Sequence, residues 1–352
     1  MLNIKNWSRR QINNPVRIAI PIMTHPGIGM IGKKVIDAVR DGIVHAEAIK
    51  RLNEIYPSAA TTVIMDLTIE AEAFGCQIEF QENDMPHILG RLVTNPGEID
   101  RLEVPPLSAG RMMQYLKANQ LCVDNTPGKP VLGGVIGPFS LAGRLFGISE
   151  MMTECYMEPE AIGCLLDKCT RFILKYCLEL KKCGCSGVLI AEPAAGLLSN
   201  DDCQTFSSHY VKRIVDAVQD DYFMVVLHNC GNSGHCTQAM VSTGADAYHF
   251  GNAIDMTDAL NQCPGDKLVM GNVDPAGILK MSTAKEVKEF TARLLERTSG
   301  YDNFVLSTGC DLPPNVPSEN IAAFFEALTD FNNDIKLRKT DSSKLPDLII
   351  AQ

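Results

Sequence analysis

The chain has 352 residues, 45% hydrophobic and 21% charged, enough apolar material for one large domain and too much for global disorder. Its formal charge of −10 repels phosphate backbones, and the isolated basic pairs Arg9-Arg10 and Lys181-Lys182 form no stripe, so no nucleic-acid partner is expected. No segment is apolar over a bilayer's thickness and MLNIKNWSRRQINN has no apolar signal core, so no membrane association and a cytoplasmic location are expected.

Short β-rich runs recur along the chain. In order they are Val16 to Met23, Thr62 to Asp66, Val131 to Ile136, Gly187 to Glu192, Phe223 to His228, Ala245 to Phe250, Leu268 to Val273 and Phe304 to Ser307. Near-continuous apolar runs suit strands covered on both faces. Between them lie helical patterns. Glu160 to Cys183 places Ile162, Leu165, Leu166, Cys169, Phe172, Ile173, Tyr176 and Cys177 on one side. Ser199 to Asp202 offers caps for a helix to about Val218, Ser282-Thr283 opens another through Leu295, and Pro317-Ser318-Glu319 starts the last.

Strands alternating with helices predict an α/β fold, a (β/α)8 TIM-type barrel with extra N-terminal and capping segments. The doubly wound open sheet is the alternative, and the strand count favours the barrel. The long interval from Asp66 to Val131 is expected to cap the mouth. Residues 1–340 are read as one barrel domain and 341–352 as a peripheral tail.

Barrel enzymes build their sites at the C-terminal ends of strands. There the fifth run ends in His228-Asn229-Cys230, the eighth is followed by Cys310-Asp311, and the fourth ends in Glu192-Pro193. Imidazole and thiolate suit Zn²⁺, and three protein ligands with an open position mark a catalytic rather than a structural site. Against this stands the ordinary role of cysteine in a chain with no export signal: most of the thirteen are packed core thiols. Cys183 and Cys185 fall on the opposite rim and read as structural. His235-Cys236 reads as a decoy or a supporting partner. His25 and Asp66 point at the same mouth as candidates for a substrate pocket, and Asp246 or Asp255 for orienting His228.

At these residues the sequence resembles the uroporphyrinogen decarboxylase superfamily and, within it, the zinc-dependent methylcobamide:thiol methyltransferases. The resemblance covers most of the chain, through Gly133 to Gly147 (GGVIGPFSLAGRLFG), Ile190 to Ser199, His228 to Asn232 (HNCGN), Gly271 to Pro275 (GNVDP) and Phe304 to Ile321. It implies that His228, Cys230 and Cys310 are zinc ligands and that a methyl group passes from a methylated corrinoid to a small thiol that zinc activates. No Asp-x-His-x-x-Gly corrinoid motif occurs, so the methylcobamide is expected from a separate corrinoid protein or free.

Glu192 departs from the Asp-Pro of related methyltransferases. Three roles stand open for it: occupant of the fourth zinc position, acceptor of the thiol proton, or hydrogen-bond acceptor in the pocket. Arg144 could meet an anionic tail of the acceptor or form a structural salt bridge. Two other readings of the chain compete: a uroporphyrinogen-type decarboxylase, and a non-catalytic zinc- or corrinoid-binding accessory protein. The first needs arginines to hold carboxylates, and the Arg-Gln-Ala-Gly-Arg motif of the decarboxylases is replaced by an arginine-free stretch, Met23 to Met30.

Overall fold

In the computed structural model, which describes residues 2–342, the predicted strands gather into one curled parallel sheet. Its members are β1 (Thr61–Thr62), β4 (Val131–Ile136), β5 (Gly187–Ala191), β6 (Met224–Asn229), β7 (Ala247–Phe250), β8 (Leu268–Val273) and β9 (Phe304–Thr308), in that spatial order. The short antiparallel pair β2 (Gln77–Glu79) and β3 (His87–Leu89) lies outside it.

The first predicted strand, Val16 to Met23, is reduced to a single bridge between Ala19 and Leu306. It still fills the eighth place. Ile20 N donates to Leu306 O and Leu306 N to Ile18 O, while Ala59 N donates to Ala19 O on the other side, next to β1. Pro21 has no N–H to extend the ladder. Ile22 N turns instead to the Thr308 hydroxyl, and the Thr62 hydroxyl donates to Pro21 O. The segment thus closes the TIM-type barrel without regular strand geometry. The second strand is likewise shorter than expected, with one further ladder bond from Val63 N to Leu132 O.

Alternation along the strands separates two cores. Val188 and Ile190, or Val225 and Leu227, face the surrounding helices. Leu132, Leu189, Met224, Val226, Ala247, Leu268, Met270 and Val305 face inward. The helix Ile4–Ile12 plugs this interior with Ile4, Trp7 and Ile12, and Ile4 is fully buried. Burying each such side chain is worth about 1.5–3 kcal/mol, so the lower barrel is a filled core rather than a pore.

The long helix runs Pro159–Lys182, close to its predicted bounds. Ser199 caps the next through Asp202 N, and Thr283 with Glu286 forms the capping box that opens Ala284–Arg297. The last helix, Ser318–Ser342, runs through the start of the segment read as a tail, and 343–352 lie outside the described residues. Between β1 and β4 lie the helices Ile69–Phe74 and Met112–Asn125 and the β2–β3 pair. Glu70 of the first of these reaches the end of β4 at Ile136 N. No helix among the described residues is long and apolar enough to cross a membrane.

Candidate metal centre

The inward positions of β6, β7 and β9 change character two residues above the apolar layer. Val226 is followed on the same face by His228, Ala247 by His249 and Val305 by Ser307. A polar floor therefore sits on the hydrophobic plug at the C-terminal face. The loops leaving β6 and β9 place Cys230 and Cys310 over it. One ligand atom each from His228, Cys230 and Cys310 lies within 4.8 Å of the other two. Tetrahedral zinc with bonds of about 2.0–2.3 Å holds its ligands about 3.5–3.8 Å apart, a modest contraction from this spacing.

Two close approaches make the cluster possible. A side chain at Gly251, just after β7, would meet the backbone of Cys230 at 2.4 Å, and one at Gly196 would meet Gly231 at 2.5 Å. Both loops lie flat against the His-x-Cys turn only because these residues have no Cβ.

His228 is buried, and its Nε2 has no hydrogen-bond partner. A buried ring nitrogen left bare is costly unless a guest completes it. The two thiols differ. A hydrogen bond from Cys310 pulls the Cys230 thiol down to about 7, and the same contact pushes Cys310 up. One thiolate is thus available near neutral pH. Nitrogen, two sulfurs and an orphaned lone pair fit zinc.

Asp246 and Asp255, expected to orient His228, do neither. Asp246 pairs with Lys267 at 2.8 Å, and Asp255 caps the helix Met256–Gln262 and meets Arg297. The neighbour of His228 is His249, its register partner on β7, with the two Nδ1 atoms 2.8 Å apart. Burial first, and the adjacent His228 second, hold the His249 pKa well below the usual imidazole range, so this ring is neutral. Sequence reasoning passed over His249 and Ser307. The signal was their parity with Val226 and His228 across neighbouring strands.

Glu192 is not part of the cluster. Its Oε1 accepts from Phe139 N at 2.9 Å, and its Oε2 accepts from Ser140 N at 2.8 Å and the Ser140 hydroxyl at 2.7 Å. The carboxylate is committed to the start of the helix Pro138–Phe146, and of its three candidate roles this geometry favours the hydrogen-bond acceptor. Burial pushes Glu192 up to about 7 despite those donors.

Asp66 is equally occupied. It accepts from Arg111 Nη1 at 2.5 Å, Tyr115 OH at 3.2 Å, and both the amide and hydroxyl of Thr68. That is a structural network rather than an open pocket wall. Arg144, half-buried, makes no ion pair among the described residues, so its structural salt-bridge reading is not realised; burial lowers its pKa.

His25 stands beside the Cys310 loop, its Nδ1 3.2 Å from Asp311 and 3.0 Å from Leu312 O, with Nε2 unpartnered. Burial disfavours its charge, but Asp311 outweighs burial and raises its pKa. It lines a cleft of about 400 Å³ with Ile28, Met30, Lys33 and Asn315. His235 and Cys236 contact Leu198 O, and Cys185 contacts Asn119, so none of them joins the cluster of His228, Cys230 and Cys310.

Comparison with known proteins places the geometry in context. The family model for uroporphyrinogen decarboxylase matches residues 15–331. A methylcobamide:CoM methyltransferase, MtbA, of Methanosarcina mazei is 28% identical over 277 residues, covering 77% of this chain and 80% of that protein. A uroporphyrinogen decarboxylase of Serratia proteamaculans is 26% identical over 285 residues, covering 78% and 79%. The solved structure of a methyltransferase from Methanosarcina mazei superposes with a TM-score of 0.83 at 22% identity, over 94% of this chain and 99% of that one.

Proposed function

The chain belongs to the uroporphyrinogen decarboxylase family, and from that premise we propose that it transfers a methyl group from a methylated corrinoid to a small thiol. The observation that carries this reading is the convergence of one ligand atom each from His228, Cys230 and Cys310 at the barrel mouth. Tetrapyrrole decarboxylation needs no such cluster. The likeness to a methylcobamide:CoM methyltransferase supports the same direction.

The reaction divides simply between protein and reactants. A sulfur–carbon bond forms, the cobalt–carbon bond breaks, and the electron pair of the broken bond stays on cobalt as Co(I). The thiol must first lose its proton, and a free thiol near pKa 8.5 is mostly protonated at neutral pH. Zinc held by His228, Cys230 and Cys310, with one position open, would supply the charge that lowers the acceptor's pKa. The chain's own residues do the rest. The apolar layer of Leu189, Val226 and Met270 closes the floor of the site against water. The loops of Cys230 and Cys310 fix where the acceptor sulfur sits, which turns an encounter of two reactants into an oriented one. The methylcobamide arrives from outside, on a corrinoid protein or free.

The purified chain is expected to carry about one zinc and to demethylate methylcobalamin only when a thiol is present, as read by the cobalamin spectrum. Cys230→Ala should abolish both properties. Full activity of metal-free protein would overturn the reading.

A further inference from the structure

Behind His228 the structure holds a chain of hydrogen bonds whose direction can be worked out link by link. The Ser307 hydroxyl lies 2.7 Å from Ile20 O, a carbonyl that can only accept, so Ser307 donates its one proton there. Toward His249 Nε2, 2.8 Å away, Ser307 can then only accept. His249 therefore carries its proton on Nε2, and its Nδ1 presents a lone pair. That lone pair faces His228 Nδ1 at 2.8 Å, so the proton between the two rings belongs to His228.

A second contact gives the same answer independently. His228 Nδ1 is also 3.3 Å from the backbone oxygen of His249, another atom that can only accept. With its proton on Nδ1, His228 has a bare Nε2, and Nε2 is the buried atom with no partner in the protein.

We propose that Ser307 and His249 are positioning residues that lock His228 into the Nδ1–H tautomer and so present Nε2 to a metal ion. Carboxylates, carbonyls and water commonly orient a ligating imidazole. Here a second neutral imidazole does so, itself oriented by a serine tied to the segment that closes the barrel. The arrangement keeps the floor of the site free of a negative charge that a carboxylate would bring. The inference rests on the metal-site reading above for its purpose, but the tautomer is a property of the metal-free chain.

The test is nitrogen-15 correlation spectroscopy of the metal-free full-length protein, with His228 assigned by its loss in His228→Gln. The wild type is expected to show His228 protonated at Nδ1 and His249 at Nε2. Ser307→Ala frees His249 to turn an Nδ1 proton toward His228 and leaves only the longer 3.3 Å contact to His249 O holding the His228 proton, so His228 should become a tautomer mixture. Its zinc affinity, read by chelator competition, should fall about ten- to one-hundredfold. Ser307→Thr keeps the hydroxyl and should restore both.

Protonation of wild-type His228 at Nε2 overturns the proposal, as does an unchanged tautomer in Ser307→Ala. If Ser307→Ala fails to fold, the wild-type spectrum decides alone. A wild-type chain with the expected tautomers that binds no zinc sinks the metal-site reading and leaves the relay standing.

Discussion

Two clusters of polar side chains sit at the mouth of the barrel, one over β6, β7 and β9 and one around the segment that follows β1. They are built from similar material and finished differently. In the cluster around Asp66, both oxygens of that carboxylate meet donors supplied by the chain, Arg111 and Tyr115 on one and Thr68 on the other, with Arg111 Nε turning to Glu72 at 2.6 Å. Glu192, which follows β5, is completed in the same way by the first turn of the helix Pro138–Phe146. At the rim of His228, Cys230 and Cys310 the internal bonds stop one atom short, because His228 Nε2 has no partner and Cys230 is drawn toward its thiolate form. A saturated cluster holds the fold, whereas an unsaturated one is fit to receive a guest.

That contrast can be broken most forcefully at Arg111. Arg111→Met leaves Asp66 buried without its ion-pair partner and should cost about 3–5 kcal/mol in urea unfolding. Zinc content of the molecules that still fold should be unchanged. Loss of zinc in step with stability would mean that the two clusters are one.

Glu192→Ala sharpens the same line. It strands the amides of Phe139 and Ser140 and should cost about 2 kcal/mol, while zinc affinity by chelator competition stays at the wild-type value. A marked fall in affinity would return Glu192 to the fourth metal position.

The smallest effect is a pH dependence. Burial pushes Glu70 up to about 7, so the folded state holds its proton more tightly than the unfolded chain does. The sign follows directly: this contribution is fully present below the unfolded pKa, near 4.5, and is lost as pH rises through about 7. Glu192 behaves alike over the same window. Glu70→Gln can keep an oxygen on Ile136 N and place its amide where Oε2 has no partner. It should flatten the decline in stability that Glu70 contributes between pH 4.5 and 7, as measured by urea titration across pH. An identical pH profile for wild type and variant would show that Glu70 titrates normally.

Much of this protein is written in local patterns. Apolar runs such as Val131 to Ile136 and Leu268 to Val273 became strands with those bounds, and Ser282-Thr283 announced the helix that follows. Alternation in a parallel barrel puts chemistry at strand ends, so His228, Cys230 and Cys310 could be named before any geometry was known. These depend on residues near one another in sequence, or on a rule of the fold that does not vary.

The tertiary structure alone decided what each polar group faces. Nothing local to Glu192 tells that the helix beginning at Pro138 will consume its carboxylate, nor that Asp246 will turn to Lys267 instead of His228. His249 enters the site through the register between β6 and β7, and Ser307 through that between the closing segment and β9. Register is a relation between distant stretches of chain, set by the packing of the whole inward face. For that reason the sequence could name His228, Cys230 and Cys310 as candidate ligands, while only the folded barrel leaves Nε2 of His228 buried without a partner.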